Sequence, residues 1–300
     1  MKMLPISLKP LLTIILLCCF SLIANLAFSA VTLPTIFGDN MIFQQNAKNA
    51  IWGFADAGEK VTVKASWGAQ ATATADKNGD WKAFLDTPGY GLGFSLKVMG
   101  TNTVTIENVA IGEVWLCFGQ SNLGWALLNT FGSEEEAATA NVPELRIYKS
   151  GRQHWHEERK DCISGAWVEC TPETAMSTSA VSYYFARKLQ KELGIPVGII
   201  VQAYAGTPIE GWLPVSVQKD DPRYAMHKAN YDNAAKRQDS EESALKTFYE
   251  EWEKYIQEKP KTSIELFTTN VKPPIITKPA TLGHQYPAHI FNGMVYPVRP

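Results

Sequence analysis

Three patterns are missing from this 300-residue sequence, and each absence removes a class of function. No long block of Lys and Arg interrupts it: 28 basic side chains stand against 30 acidic ones, for a net charge of -2. The electrostatic footprint of a nucleic-acid binder is therefore absent, and small or neutral partners are expected. Cysteine is scarce, five in the chain, and no Cys and His spacing suggests a zinc site. No metal and no cofactor are expected. There is also no internal repeat, which excludes solenoids and propellers.

What is present is an ordinary globular composition. Hydrophobic residues make up 45% and charged residues 19%, enough for a sizeable core and about two domains. The first 30 residues differ from the rest. Lys2 and Lys9 precede the apolar run Leu11 to Phe28, which ends in small residues around Ala27, Ser29 and Ala30. This reads as a secretory signal peptide over residues 1–30, cleaved near Ala30, with an uncleaved anchor as the alternative. The mature protein is then periplasmic or secreted, with no membrane partner after cleavage. Cleavage takes Cys18 and Cys19 away and leaves Cys117, Cys162 and Cys170 in an oxidising compartment. Cys162 and Cys170 are close enough in sequence to pair across a short loop. Cys117, inside an apolar strand, reads as a small buried hydrophobe.

From Val31 to Ile111 the hydrophobic pattern has period two, in segments such as Ile51-Trp52-Gly53-Phe54, Lys60-Val61-Thr62-Val63 and Thr103-Val104-Thr105-Ile106. Asn78-Gly79, between Thr72-Ala73-Thr74 and Trp81-Lys82-Ala83-Phe84, predicts a hairpin. The stretch 31–111 is expected to be a small all-β sandwich domain. Beyond Gly112, strands alternate with helices. Val114–Phe118, Leu145–Tyr148 and Val197–Val201 read as strands, the first of them an inner rather than an edge strand, and Ala180–Leu193 as a helix stopped by Gly194 and Pro196. That order predicts an α/β domain over 112–300 with a parallel sheet and right-handed crossovers. Residues 220–259 read as two helices split near Gln238-Asp239-Ser240, within a helical insertion over about 213–285, and the prolines from Pro273 to Pro279 mark an extended connector.

The chemistry centres on Ser121. The apolar run Val114-Trp115-Leu116-Cys117-Phe118 breaks at Gly119 into Gln120-Ser121-Asn122. A serine where a parallel strand gives way to a loop lies at the carboxyl edge of the sheet, where open α/β sheets bind ligands. A helix beginning near Leu123 would aim N–H groups at that spot. Two readings stay open on this pattern alone: a nucleophile, or a Ser or Asn that caps the helix.

Four stretches resemble the sialate O-acetylesterase family of SGNH-type serine hydrolases. They are Met41-Ile42-Phe43-Gln44-Gln45 with Ile51-Trp52-Gly53 and Gly58-Glu59-Lys60-Val61; Gly112-Glu113-Val114-Trp115-Leu116-Cys117 with Gly119-Gln120-Ser121-Asn122; Pro196-Val197-Gly198-Ile199-Ile200 with Gly206-Thr207-Pro208-Ile209-Glu210-Gly211-Trp212; and Phe291-Asn292-Gly293-Met294-Val295. The resemblance implies a flavodoxin-like SGNH-hydrolase domain after the β-sandwich. It also implies a carbohydrate O-acetylesterase acting on an O-acetylated sugar or glycan, with Ser121 as nucleophile and the N–H groups of Ser121 and Gly206 as an oxyanion hole. Gln120, Asn122, Thr207, Trp212 and Asn292 are the implied substrate-binding residues.

Departures from the family pattern are Ala205 where a second glycine is usual, Tyr204 before it, Phe118 in place of a small residue, and Leu123-Gly124. The family's general base belongs to an Asp-x-x-His element, and no Asp in this sequence is followed three residues later by His. No Gln-Gly-Glu segment follows the Asn292 region either. The C-terminal part of the hydrolase domain is therefore expected to be missing. A catalytically inactive carbohydrate-binding relative is the alternative expectation. None of the histidines is assigned a catalytic role: His154 and His156 read as exposed in a polar loop, His227 as lying on a surface helix, and His284 and His289 as part of the connector beside Asn292.

Overall fold

The computed structural model describes residues 30–236, 241–258 and 283–299. The expected signal peptide, the Gln238 split and the proline connector lie outside the described residues. Strands β1 (Ile42–Gln44), β2 (Lys48–Phe54), β3 (Lys60–Ala65), β4 (Gln70–Thr74), β5 (Asp80–Asp86) and β6 (Gly91–Met99) are followed by the long β7 (Thr103–Gly119). Two β layers result. In one, β2 pairs antiparallel with β5; in the other, β4, β3, β6 and the first half of β7 lie side by side, with β1 parallel to β7.

Alternation holds the layers together. Ile51, Trp81 and Leu85 from the β2–β5 pair and Val61, Val63, Leu96, Val98 and Ile106 from the other layer belong to one buried cluster. Each fully buried aliphatic side chain contributes about 1.5–3 kcal/mol. The predicted Asn78-Gly79 hairpin is corrected by this pairing. The turn exists, with Gly79 left-handed at φ +81 and the Asp76 carboxylate accepting from the Asn78 and Asp80 N–H groups. Its flanking strands belong to different layers, because β4 pairs with β3 and β5 with β2. The tight turn carries the chain across the core instead of folding it back in the same sheet.

β7 does not stop at the expected junction near Ile111. It runs on through Gly112 and becomes the first strand of a second sheet. Glycine is required there, since a side chain would collide with the carbonyl of Pro196. In that sheet β10 (Val197–Ala203) lies between β7 and β8 (Val142–Ser150), parallel to both, and β9 (Gly165–Cys170) closes it antiparallel. Helix α1 (Ser133–Ala138) and the short α2 (Pro172–Met176) precede α3 (Ala180–Leu193). The last is the predicted helix with its predicted stop, Gly194, at φ +65. Tyr183 and Ala186 of α3 pack on Leu145, Ile147, Ile199 and Val201 of the sheet. Helix α4 (Ile209–Trp212) precedes the expected helical insertion, and α5 (Val215–Gln218), α6 (Pro222–Lys236) and α7 (Glu241–Glu258) lie within its bounds. None of the described helices is long and apolar enough to cross a membrane.

Three expectations are corrected. Among the described residues, Glu113–Gly119 of β7 pairs on one side only, with β10, so Val114–Phe118 is an outer strand and Trp115, Leu116 and Phe118 are 41–45% exposed. No helix begins at Leu123; Ser121–Gly124 is a turn, and the first helical residues are a 3-10 turn at Leu127–Asn129. Cys162 and Cys170 are free thiols, as is Cys117. Burial raises the Cys162 thiol and pushes that of Cys170 up to about 11.

Buried charge ties the layers to the second sheet. Arg146 on β8 is 1% exposed and donates to the carbonyls of Pro143, Asn40 and Asn108 and to the Asn108 side chain, with Glu169 of β9 at 3.2 Å.

Candidate active site

The parallel ladder positions the site. Gly119, the last residue of β7, is in register with Ala203, the last of β10, and the Tyr204 N–H donates to the Gly119 carbonyl at 3.0 Å. The two chains therefore leave the sheet side by side at its carboxyl edge. Ser121 and Gly206 stand in the two loops that follow. Gly206 has φ +75, a conformation that glycine alone adopts cheaply.

Ser121 is exposed, and both of its donors face its own neighbour. The Gln120 side-chain oxygen accepts the Ser121 hydroxyl at 2.6 Å and the Ser121 N–H at 2.7 Å. Asn122 is exposed, and its carbonyl accepts the Trp125 N–H at 3.3 Å, closing the turn. Thr207 and Trp212 satisfy one another: the indole N–H donates to Thr207 Oγ1 at 2.8 Å, and that hydroxyl donates to the Tyr204 carbonyl at 2.7 Å. Trp212 is 4% exposed and stacks on Phe118 at 5.6 Å, so it supports the loop from beneath. Asn292 lies in a turn of π-helix, Phe291–Val295, and donates to the Trp155 carbonyl at 3.2 Å.

The sequence reading missed the cluster around Tyr204. Its ring stacks on the imidazole of His284 at 4.8 Å and 18°, and its hydroxyl lies 3.2 Å from His154 Nδ1. The Nε2 of His284 is 3.6 Å from where a side chain on Gly206 would begin, and the Gln285 side chain donates to the Gly206 carbonyl at 3.1 Å. His154 is half-buried here, against the expectation of exposure. The loop 151–164 reaches the site because residues 283–299 bind it: Trp155 N–H donates to His289 O, Arg159 N–H to Asn292 O, and Gln153 to Gly293 O. Gly293 permits this approach, since a side chain would meet the Gln153 carbonyl at 2.9 Å. Only the adjacency of His284 to the Asn292 stretch hinted at this cluster.

A serine and a left-handed glycine thus stand in the loops that leave neighbouring strand ends. No imidazole accepts from Ser121 among the described residues. Likewise, no group of three or more His, Cys, Asp or Glu suited to a metal ion occurs among them.

Comparison with known proteins agrees with this architecture. Residues 111–248 match the family model of carbohydrate esterase, sialic acid-specific acetylesterase. The sialate O-acetylesterase of Rattus norvegicus is 31% identical over 192 residues, 57% of this chain and 35% of the relative; that of Homo sapiens is 30% identical over 193 residues, 58% and 37%. The match thus spans little more than a third of the length of these relatives. The crystal structure of a carbohydrate acetylesterase from Xanthomonas citri is similar with a TM-score of 0.60 at 29% identity, over 64% of this chain and 44% of that one. Through residues 111–248, the chain is thus similar to the sialic acid-specific acetylesterases among the carbohydrate esterases.

Proposed function

We propose that this protein is a carbohydrate O-acetylesterase of the SGNH type, removing acetyl groups from sugar hydroxyls through Ser121. The observation that carries the reading is the register of Gly119 with Ala203, which brings the Ser121 and Gly206 loops out at one edge of a parallel sheet. In this reading the Ser121 hydroxyl attacks the acetyl carbonyl, the sugar hydroxyl leaves, and water releases acetate from the acetyl-enzyme. The N–H groups of Ser121 and Gly206 hold the oxyanion, each contributing about 3 kcal/mol to the transition state. Residues 31–111 form a β-sandwich platform, and 112–300 the flavodoxin-like esterase domain. The protein works in the periplasm or outside the cell.

One observation favours a second reading. The Ser121 hydroxyl donates to Gln120, and the sequence holds no Asp-x-x-His to supply the base. A protein with this cleft and no base binds acetylated sugars without hydrolysing them.

Hydrolysis of p-nitrophenyl acetate separates the two. Absence of a triad member removes several orders of magnitude of rate, so the 300-residue chain is expected to be nearly inactive. A version carrying an Asp-x-x-His element as a C-terminal extension should turn the ester over, and Ser121→Ala in that version should abolish turnover. Failure of the extended version to hydrolyse the ester leaves the binding reading.

A further inference from the structure

We infer that the substrate is an oligosaccharide, and that the sugar units beyond the acetylated one lie in a groove running from Tyr204 across Lys160 onto the β2–β5 layer. The inference rests on the esterase reading above and extends it from the acetyl group to the rest of the glycan.

The groove consists of two adjoining cavities. One, of about 770 Å3, starts at the site cluster, with His154 and Tyr204 in its wall, and passes Trp155 and Arg152 to Phe54 and Lys160. Ser121 stands outside this wall, so the acetylated sugar sits at the Tyr204 end. The other, of about 430 Å3, takes in the same Phe54 and Lys160 and continues to Trp52, Asp80, Tyr296 and Arg299. Both share the neck formed by Lys160, whose ammonium is held by the Asp80 carboxylate at 2.6 Å and lies 5.7 Å above the Phe54 ring. A single acetylated sugar needs no such length.

The lining has the chemistry of a glycan path. Aromatic rings recur along it, Trp155 and Tyr204 at the near end and Trp52 and Tyr296 at the far end, the apolar and polarisable surface against which sugar C–H groups pack. Charged groups between the rings offer strong hydrogen bonds to hydroxyls.

Isothermal titration tests the inference on two series, because the acetylated glycan can be of either kind: O-acetylated sialic acid against O-acetylated sialyllactose, and O-acetylated xylose against O-acetylated xylotetraose. In at least one series the longer glycan should bind at least tenfold more tightly than its monosaccharide. Lys160→Trp, which fills the neck from an exposed position, should abolish that difference while leaving monosaccharide binding and the melting temperature unchanged; Lys160→Ala should retain most of it. Equal affinity for short and long glycans in both series, no binding in either, or a length dependence that Lys160→Trp does not alter would overturn the groove. Hydrolysis of p-nitrophenyl acetate by the extended version reports on the esterase reading separately, since that ester has no glycan to place.

Discussion

Gln120 occupies both donors of Ser121: one side-chain oxygen accepts the N–H at 2.7 Å and the hydroxyl at 2.6 Å. In the proposed esterase reading that oxygen competes with an incoming carbonyl oxygen for the N–H and also holds the hydroxyl proton, so substrate displaces it. A net hydrogen bond is worth about 1 kcal/mol, so Gln120→Ala should raise the rate at which a fluorophosphonate labels Ser121 by about fivefold, measured by intact-protein mass spectrometry. A slower rate would mean that Gln120 assists the serine.

Arg146 is the buried charge on which two layers depend. Its guanidinium satisfies three carbonyls and faces Glu169, and burial disfavours its charged form. Breaking such a pair by removing one partner costs about 3–5 kcal/mol, because the rest is left unsatisfied. Arg146→Ala should lower the urea midpoint accordingly. Arg146→Lys should recover only part of the loss, since an ammonium cannot reproduce the planar fork.

Gln202 presents the opposite case. It sits in β10 at 0% exposure, and neither its amide nitrogen nor its oxygen has a partner among the described residues. An unpaired buried amide costs about 1–3 kcal/mol, so the similarly shaped Gln202→Met should stabilise the protein, by about 2–4 °C in melting temperature for each kcal/mol gained. An unchanged or lower melting temperature would show that this amide has a bonding role in solution.

These residues mark where legibility in the sequence ends. α3 could be read to its last residue because apolar spacing and the Gly194 stop both act locally. The strands β8 and β10 were equally plain, being short apolar runs between turn signals. β9 was hidden in a mixed run after a polar loop, since its pairing with β8 depends on long-range contact. The hairpin signal at Asn78-Gly79 located a turn correctly but could not say which strand each flank would pair with. That Ser121 and Gly206 stand in the loops after two strands was legible in the apolar runs that precede them. Tyr204, His154 and His284 were not, because residues 50 to 130 positions apart meet only when the loop 151–164 docks on 283–299. Buried polar residues such as Arg146 and Gln202 look like surface residues in one dimension.

Docking of that loop makes stability pH-dependent through His289. The side chain is 4% exposed, its Nδ1 donates to the Gly283 carbonyl at 3.1 Å, and its own carbonyl accepts from Trp155 N–H. Burial, with smaller contributions from His154 and His156, lowers its pKa from 6.5 to about 4, although the Gly283 bond acts the other way. The folded state therefore prefers the neutral imidazole. Above pH 6.5 the ring is neutral in both states and nothing is lost. As pH falls from 6.5 towards 4, the unfolded chain takes up a proton that the folded chain does not, and stability declines; below about 4 both are charged and this contribution levels off. The full loss is on the order of 3 kcal/mol at 1.36 kcal/mol per pKa unit. Urea unfolding at pH 7.5, 6, 5 and 4 should show the decline. His289→Gln, which cannot titrate, should start from a lower stability and follow a flatter curve between 6.5 and 4. Parallel curves for the two proteins would place the pH dependence in other groups.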